Sequence, residues 1–170
     1  MYLLGIDPAI SQLGWAVIQV IENKISFIDS GTVKGSKVDK IHKKLFYINE
    51  MMQNVILLYN PQIIAMEETF ISSNALSSLK LGYVRGALMS LIGQYNIEFY
   101  EYKPNHIKKT TSGTGHANKK QMQYMIPLII NNTPKDISID ETDALAVAYT
   151  CSIQIRNFKT IVSEDNKKNR

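Results

Sequence analysis

The hydrophobic pattern at the start of the chain predicts three strands. An apolar run over residues 2–7 ends in Asp7, and the proline that follows cannot continue a paired strand. Two further runs, at 13–21 and 24–33, flank the turn-prone pair Glu22-Asn23 and predict a hairpin. The first strand therefore carries a carboxylate at its tip, where an unpaired buried charge is costly.

The rest of the chain alternates between helical and strand patterns. Apolar residues recur at helical spacing from about 38 to 59, and Pro61 marks the end of that helix. The further predicted elements are a strand at 62–67, a helix at 74–95, a strand at 97–102, a short helix from Pro104, a loop at 112–115, and helices at 119–130 and 141–158. The polar residues 159–170 are expected to be disordered.

This order of elements predicts an α/β fold, with a mixed five-stranded sheet and helices on both faces, in a single domain over residues 1–158. A right-handed crossover would place the strand at 62–67 parallel to the first strand. Asp7 and Glu67 would then lie side by side at the carboxyl ends of the strands, where open α/β sheets bind their ligands.

Two further acids mark the start of the last predicted helix. Asp140 and Asp143 are three residues apart and so share one helix face. Acids are also favoured at helix N-termini by capping and by the helix dipole, which would explain Asp140 alone. Asp143, however, precedes an apolar run, so its face is expected to point into the protein. We therefore predict a site of four carboxylates.

Such a site suits a hard divalent cation. Mg²⁺ prefers oxygen ligands, and Mn²⁺ is an alternative. Four acids would allow one ion or two ions roughly 4 Å apart, the arrangement used to hydrolyse phosphodiesters. The sequence has neither a cysteine cluster nor a histidine pair at zinc spacing.

Composition adds little to this interpretation but excludes some classes. The 170 residues are 45% hydrophobic, and no stretch is long and apolar enough to span a bilayer. The single cysteine, Cys151, lies on an apolar helical face. Because one cysteine cannot form a disulfide within the chain, we expect a cytoplasmic protein. The net charge of +4 permits a polyanionic partner. A basic cluster expected to contact phosphate comprises Lys103, His106, Lys108, Lys109, His116, Lys119 and Lys120.

Taken together, the motifs resemble the bacterial RuvC family of Holliday junction resolvases over residues 1 to about 155. The matching segments are Gly5-Ile6-Asp7-Pro8 with Gly14-Trp15-Ala16-Val17-Ile18, Ala65-Met66-Glu67-Glu68-Thr69-Phe70 with Asn74, Leu79–Gly86, Tyr102-Lys103-Pro104 through Ile107-Lys108, Gly113, Gly115, Lys119 and Gln121, and Asp140–Ala146. Any one of these motifs is weak, but their order and spacing are specific.

The resemblance implies a ribonuclease H-like nuclease that nicks two opposed strands of a four-way DNA junction, leaving 5′ phosphates. Asp7, Glu67, Asp140 and Asp143 match the metal-binding carboxylates of the family. Lys108 and Lys119 match basic residues near the scissile phosphate, and Phe70 matches an aromatic that acts on bases near the crossover. The resemblance also implies a homodimer, for which the apolar helix at 74–95 could supply the interface, and a branch-migration helicase as a further partner.

Two residues depart from what the resemblance leads us to expect. Ala9 stands where family members commonly have glycine, and Pro127 falls inside a predicted helix. Glu68 and Glu141 adjoin the predicted ligands and are candidates for supporting roles only. The residues alone leave three other classes open: a nuclease of RNA–DNA hybrids or of transposition, an actin-type ATPase, and a DNA-binding module without catalysis. The chain is short for the second class and lacks its glycine-rich phosphate loops.

Overall fold

The secondary structure follows the predicted order of strands and helices. The computed structural model describes residues 1–34, 40–69 and 74–168, with side chains through Arg156. Its elements are β1 (Tyr2–Asp7), β2 (Gln12–Ile21), β3 (Lys24–Lys34), α1 (Ile41–Tyr59), β4 (Ile63–Glu67), α2 (Ala75–Ile92), β5 (Glu98–Tyr102), α3 (Pro104–Ser112), α4 (Lys119–Ile129) and α5 (Ile139–Lys168).

The strands form one mixed sheet in the order β3-β2-β1-β4-β5. Strand β1 is antiparallel to β2 and parallel to β4, and β4 is parallel to β5. Ile6 pairs with Met66, so the next residues of the two strands, Asp7 and Glu67, end the strands together. The predicted five-stranded mixed sheet and the parallel pairing of β1 with β4 are confirmed.

Helices cover both faces of this sheet, as predicted. Side chains alternate between the faces along each strand, so neighbours such as Leu3 and Leu4 enter different cores. One core contains Leu3 with side chains of α3, α4 and α5, and the other contains Leu4 with side chains of α1 and α2. No helix among the described residues is long and apolar enough to cross a membrane.

Close packing sets α5 directly against the two strands beside the predicted site. A Cβ atom added at Gly5 would lie 2.2 Å from the Ala144 carbonyl oxygen, and one added at Gly14 would lie 2.1 Å from that of Asp140. Any larger residue would push the helix away from the sheet. Glycine at these two positions therefore brings the first turns of α5 to the ends of β1 and β2.

The termini of several helices differ from prediction. Helix α5 begins two residues earlier than predicted and continues through Lys168, so the helical backbone extends into the segment from 159 that was expected to be disordered. The predicted start of α1 at 38 lies outside the described residues. Pro127 is accommodated inside α4, which ends soon after it, at Ile129. Ala9 is not among the described residues with a positive φ, so its turn does not require glycine.

Candidate active site

Asp7 and Glu67 are brought together by the parallel pairing of β1 and β4. Each is the last residue of its strand, and both line a cavity of about 510 Å³. The remaining wall comes from α3, α4 and α5, which pack on the same face of the sheet. The cavity residues are Asp7, Glu67, Pro104, Ile107, Lys108, Ala117, Asn118, Lys119, Met122 and Asp143.

The first turns of α5 contribute the other two predicted acids, on two sides of the site. Asp143 lines the cavity with Asp7 and Glu67. Asp140 is not part of that lining, and its Oδ2 accepts a hydrogen bond of 2.5 Å from Nε2 of Gln12. Asp140 still acts electrostatically on Asp7 and Asp143. The structure thus brings all four acids to one region, with Asp140 held toward β2.

Burial and mutual repulsion make the acidic cluster costly to ionise. Burial, followed by the charges of Asp143 and Asp140, raises the pKa of Asp7 to about 7. Burial, followed by the charges of Asp7 and Asp143, raises the pKa of Glu67 to about 7. Burial also raises the pKa of Asp143, against the opposing charge of Lys119. A cation placed among these carboxylates would relieve both the burial and the repulsion.

Lys108 and Lys119 line the same cavity from α3 and α4. Nζ of Lys119 lies 3.9 Å from Oδ2 of Asp143, but the Lys119 side chain is 69% exposed, so solvent screens this ion pair. The charges of both lysines partly offset the rise in the pKa of Glu67. Their ammonium groups lie beside the acids, where they could contact a phosphate.

The donor set of the cluster fits a hard divalent cation such as Mg²⁺. Carboxylate oxygens are the ligands that Mg²⁺ and Mn²⁺ prefer. Burial, with smaller contributions from neighbouring acids, raises the pKa values of Asp7 and Glu67, and a cation would favour their ionised forms. Among the described side chains, no three acids, histidines or cysteines stand as ready ligands of one ion.

The two acids that flank the predicted ligands hold the surrounding structure. The carboxylate of Glu141 accepts hydrogen bonds from the Ser138 amide and the Ser30 hydroxyl, which tie the start of α5 to β3. The main-chain amide of Glu68 donates to the Tyr102 carbonyl. The hydrogen bond to Glu101, with a smaller contribution from the Glu68 charge, raises the pKa of Arg85. Glu141 is thus a capping residue rather than part of the acidic cluster.

The sequence did not single out two polar contacts near the site. One joins Gln12 to Asp140. The other is the double hydrogen bond from Arg85 of α2 to Glu101 of β5, with distances of 2.7 and 2.6 Å. The hydrophobic periodicity of the sequence cannot predict either pair, because each pair joins residues of different elements. Phe70, which was expected to contact bases, lies outside the described residues.

The mixed five-stranded sheet, with acids at the ends of its parallel strands, has a ribonuclease H-like fold, and the comparisons with known proteins identify the family. Residues 3–151 match the family described as "Crossover junction endodeoxyribonuclease RuvC". The chain is 51% identical to the crossover junction endodeoxyribonuclease RuvC of Rickettsia prowazekii over 153 residues, which are 90% of this chain and 98% of that protein. The chain belongs to the RuvC family.

Solved structures agree with this assignment. The RuvC of Thermus thermophilus in complex with a Holliday junction substrate matches with a TM-score of 0.84 at 27% identity, over 92% of this chain and 95% of that one. The yeast mitochondrial Holliday junction resolvase Ydc2 matches with a TM-score of 0.69 at 13% identity, over 95% of this chain and 83% of that one, which supports the fold alone.

Proposed function

We propose that this chain resolves four-way DNA junctions in the cytoplasm by nicking two opposed strands, with Asp7, Glu67, Asp140 and Asp143 as its metal-binding carboxylates. The observation that carries the proposal is the pair of acids at the ends of β1 and β4. Both have a pKa near 7 and face a cavity that also contains Lys108 and Lys119. Buried carboxylates with perturbed pKa values mark functional sites.

The acids hold the cation, and the lysines contact the DNA. Mg²⁺, or Mn²⁺ in its place, would be held by Asp7 and Glu67 with the two acids of α5, as one ion or two. When bound, the cation supplies Lewis-acid stabilisation of the charge that develops on the phosphate. Lys108 and Lys119 add positive charge beside the same phosphate and the DNA backbone. The attack of water breaks the bond between phosphorus and O3′, which leaves a 5′ phosphate and a 3′ hydroxyl.

The exposed face of α2 supports a homodimer. Leu76, Leu79, Tyr83 and Met89 recur along this helix with 69, 51, 44 and 37% of their surface exposed. Nothing lies within 4 Å of a Cβ placed at the intervening Gly82, so another helix could approach closely. A two-fold dimer would present two sites to a junction that is itself two-fold symmetric. A branch-migration helicase is the further partner that the resemblance implies.

Phe70 is proposed to stack on a base near the crossover. It follows β4 by three residues, close in sequence to Glu67. An aromatic ring in that position could stack on an unpaired base, an interaction worth about 1–3 kcal/mol. Its role stays a prediction.

The experiment that tests this function compares substrates. The protein is incubated with Mg²⁺ and a synthetic mobile four-way junction, a linear duplex or an RNA–DNA hybrid, and the products are sized and their ends determined. We expect paired nicks on opposed strands of the junction, with 5′ phosphates that ligase reseals. Cleavage of the hybrid in preference to the junction would favour the other nuclease class, and junction binding without any nick would favour a non-catalytic module.

A further inference from the structure

Gln12 is the one side chain shown to hydrogen-bond the carboxylate of Asp140 within the described part of the chain. It is the first residue of β2 and follows Asp7 by five positions. Its Nε2 donates to Oδ2 of Asp140 at 2.5 Å, across 128 residues of sequence. Because an ionised carboxylate can only accept hydrogen bonds, the amide must turn its NH₂ group toward Asp140.

The same strand also fixes the backbone of Asp140. Gly14, two residues after Gln12, packs so closely that an added Cβ would lie 2.1 Å from the Asp140 carbonyl oxygen. The position of this residue is therefore set by β2 through its main chain, and the direction of its carboxylate through Gln12. Without the amide, these contacts would leave the carboxylate able to rotate away from its position beside β2.

We propose that Gln12 is a positioning residue, which fixes the orientation of the Asp140 carboxylate on the β2 side of the acidic cluster and so favours the binding of a divalent cation. The inference rests on the proposed role of Asp140 as a metal ligand. Side chains that hydrogen-bond to metal ligands orient them and tune their affinity for the metal.

A neutral amide suits this task better than a charged group. Asp140 faces the like charges of Asp7 and Asp143, so its carboxylate needs a donor to stay in place. A lysine at position 12 would supply the donor, but it would also neutralise the charge that attracts the cation. Glutamine supplies the hydrogen bond and adds no positive charge to the cluster.

The test is Gln12→Met, which keeps the length of the side chain and removes the donor. Gln19→Met is the matched control, because Gln19 lies on the same strand at the far end from the site. Mn²⁺ binding to the protein without DNA is measured from the electron paramagnetic resonance signal of free Mn²⁺. We expect the Mn²⁺ dissociation constant of Gln12→Met to rise about ten-fold, and that of Gln19→Met to match wild type.

Nicking kinetics give a second readout. The half-saturating Mn²⁺ concentration should rise by a similar factor, while the rate at saturating Mn²⁺ stays within about two-fold. A cycle with Asp140→Asn isolates the contact, since Gln12→Met should have no further effect on Mn²⁺ binding in that background. An unchanged Mn²⁺ affinity in Gln12→Met, with a weakened one in Asp140→Asn, would overturn the role of Gln12 alone. Unchanged affinity and nicking in Asp140→Asn would overturn the proposed ligand set itself.

Discussion

At the scale of single residues, the site depends on the environment that two strand ends give to ordinary acids. The pKa of Asp7 and that of Glu67 rise to about 7 because burial and neighbouring carboxylates oppose their ionisation. The cost of ionising these buried carboxylates lowers the stability of the folded protein, and a bound cation would offset that cost. Both site residues could be predicted from their positions in the sequence, because a charge at the end of an apolar strand is rare unless it has a function.

The raised pKa values predict a pH-dependent stability. The folded protein binds these protons more tightly than the unfolded chain, whose acids titrate near 3.8 and 4.5. Their contribution to stability is therefore full below about pH 4 and is lost as the pH rises through 7. In metal-free buffer, the free energy of unfolding by urea should fall from pH 5 to pH 8 by roughly 2.5 kcal/mol for each of the two acids. Asp7→Asn should reduce this fall, and Asp136→Asn, at an exposed acid, should not.

The two cavity lysines are expected to serve the chemical step. Lys108→Ala and Lys119→Ala should each slow nicking of a bound junction by about ten-fold or more, since each removes positive charge from beside the phosphate. Lys24→Ala is the control, because Lys24 is exposed at the start of β3, lies outside the basic cluster and does not line the cavity. Single-turnover nicking rates with saturating protein measure the effect. Equal rates in all three variants would remove the phosphate role.

At the scale of elements, the sequence predicted the sheet and the placement of its ends but not the contacts between elements. Apolar runs and helical spacing gave every strand and helix, and the crossover rule gave the parallel pairing of β1 with β4. The partnership of Gln12 with Asp140 could not be predicted, because a polar residue at the start of a strand has no periodicity that names its partner. The backbone of α5 continues through Lys168, past the helix end at 158 that the apolar pattern predicts, because a polar segment carries no periodicity that marks a helix end.

The contact of α5 with β2 predicts a severe effect from one added methyl group. Gly14→Ala should push the Asp140 turn off the sheet, destabilise the protein by about 1–3 kcal/mol as overpacked substitutions do, and reduce nicking. Urea unfolding and junction cleavage measure the two effects. Gly115→Ala is the control for stability, since its Cβ would come no closer than 3.4 Å to a neighbouring atom, which is an ordinary contact. Equal stability of wild type and Gly14→Ala would refute this packing argument.

At the scale of the whole molecule, the exposed face of α2 lies on the opposite side of the sheet from α5 and the acidic cavity. Helices α1 and α2 share one core, and α3, α4 and α5 share the other. A dimer formed through α2 would leave both cavities open to DNA. Paired nicking would then depend on association, whereas the chemistry of each nick would depend on one chain.

A variant that cannot dimerise should therefore lose the pairing of nicks on opposed strands before it loses nicking itself. Leu79→Glu places a charge in the middle of the exposed apolar face and should convert the dimer to monomers, as measured by sedimentation equilibrium. Leu57→Glu is the matched control, because Leu57 is 63% exposed on α1. A Leu79→Glu protein that still sediments as a dimer would place the interface elsewhere.

The central claim, that Asp7 and its neighbours hold a cation for junction cleavage, is tested most directly with Asp7→Asn. The measurement is the single-turnover rate of nicking of a mobile four-way junction with Mg²⁺, beside the dissociation constant for the same junction without metal. Because the cation supplies several kcal/mol of stabilisation to the transition state, the nicking rate should fall by at least about 100-fold. Junction affinity should stay within a few-fold of wild type, since the substitution removes negative charge from the DNA-facing cavity. Nicking by Asp7→Asn at the wild-type rate would contradict the account.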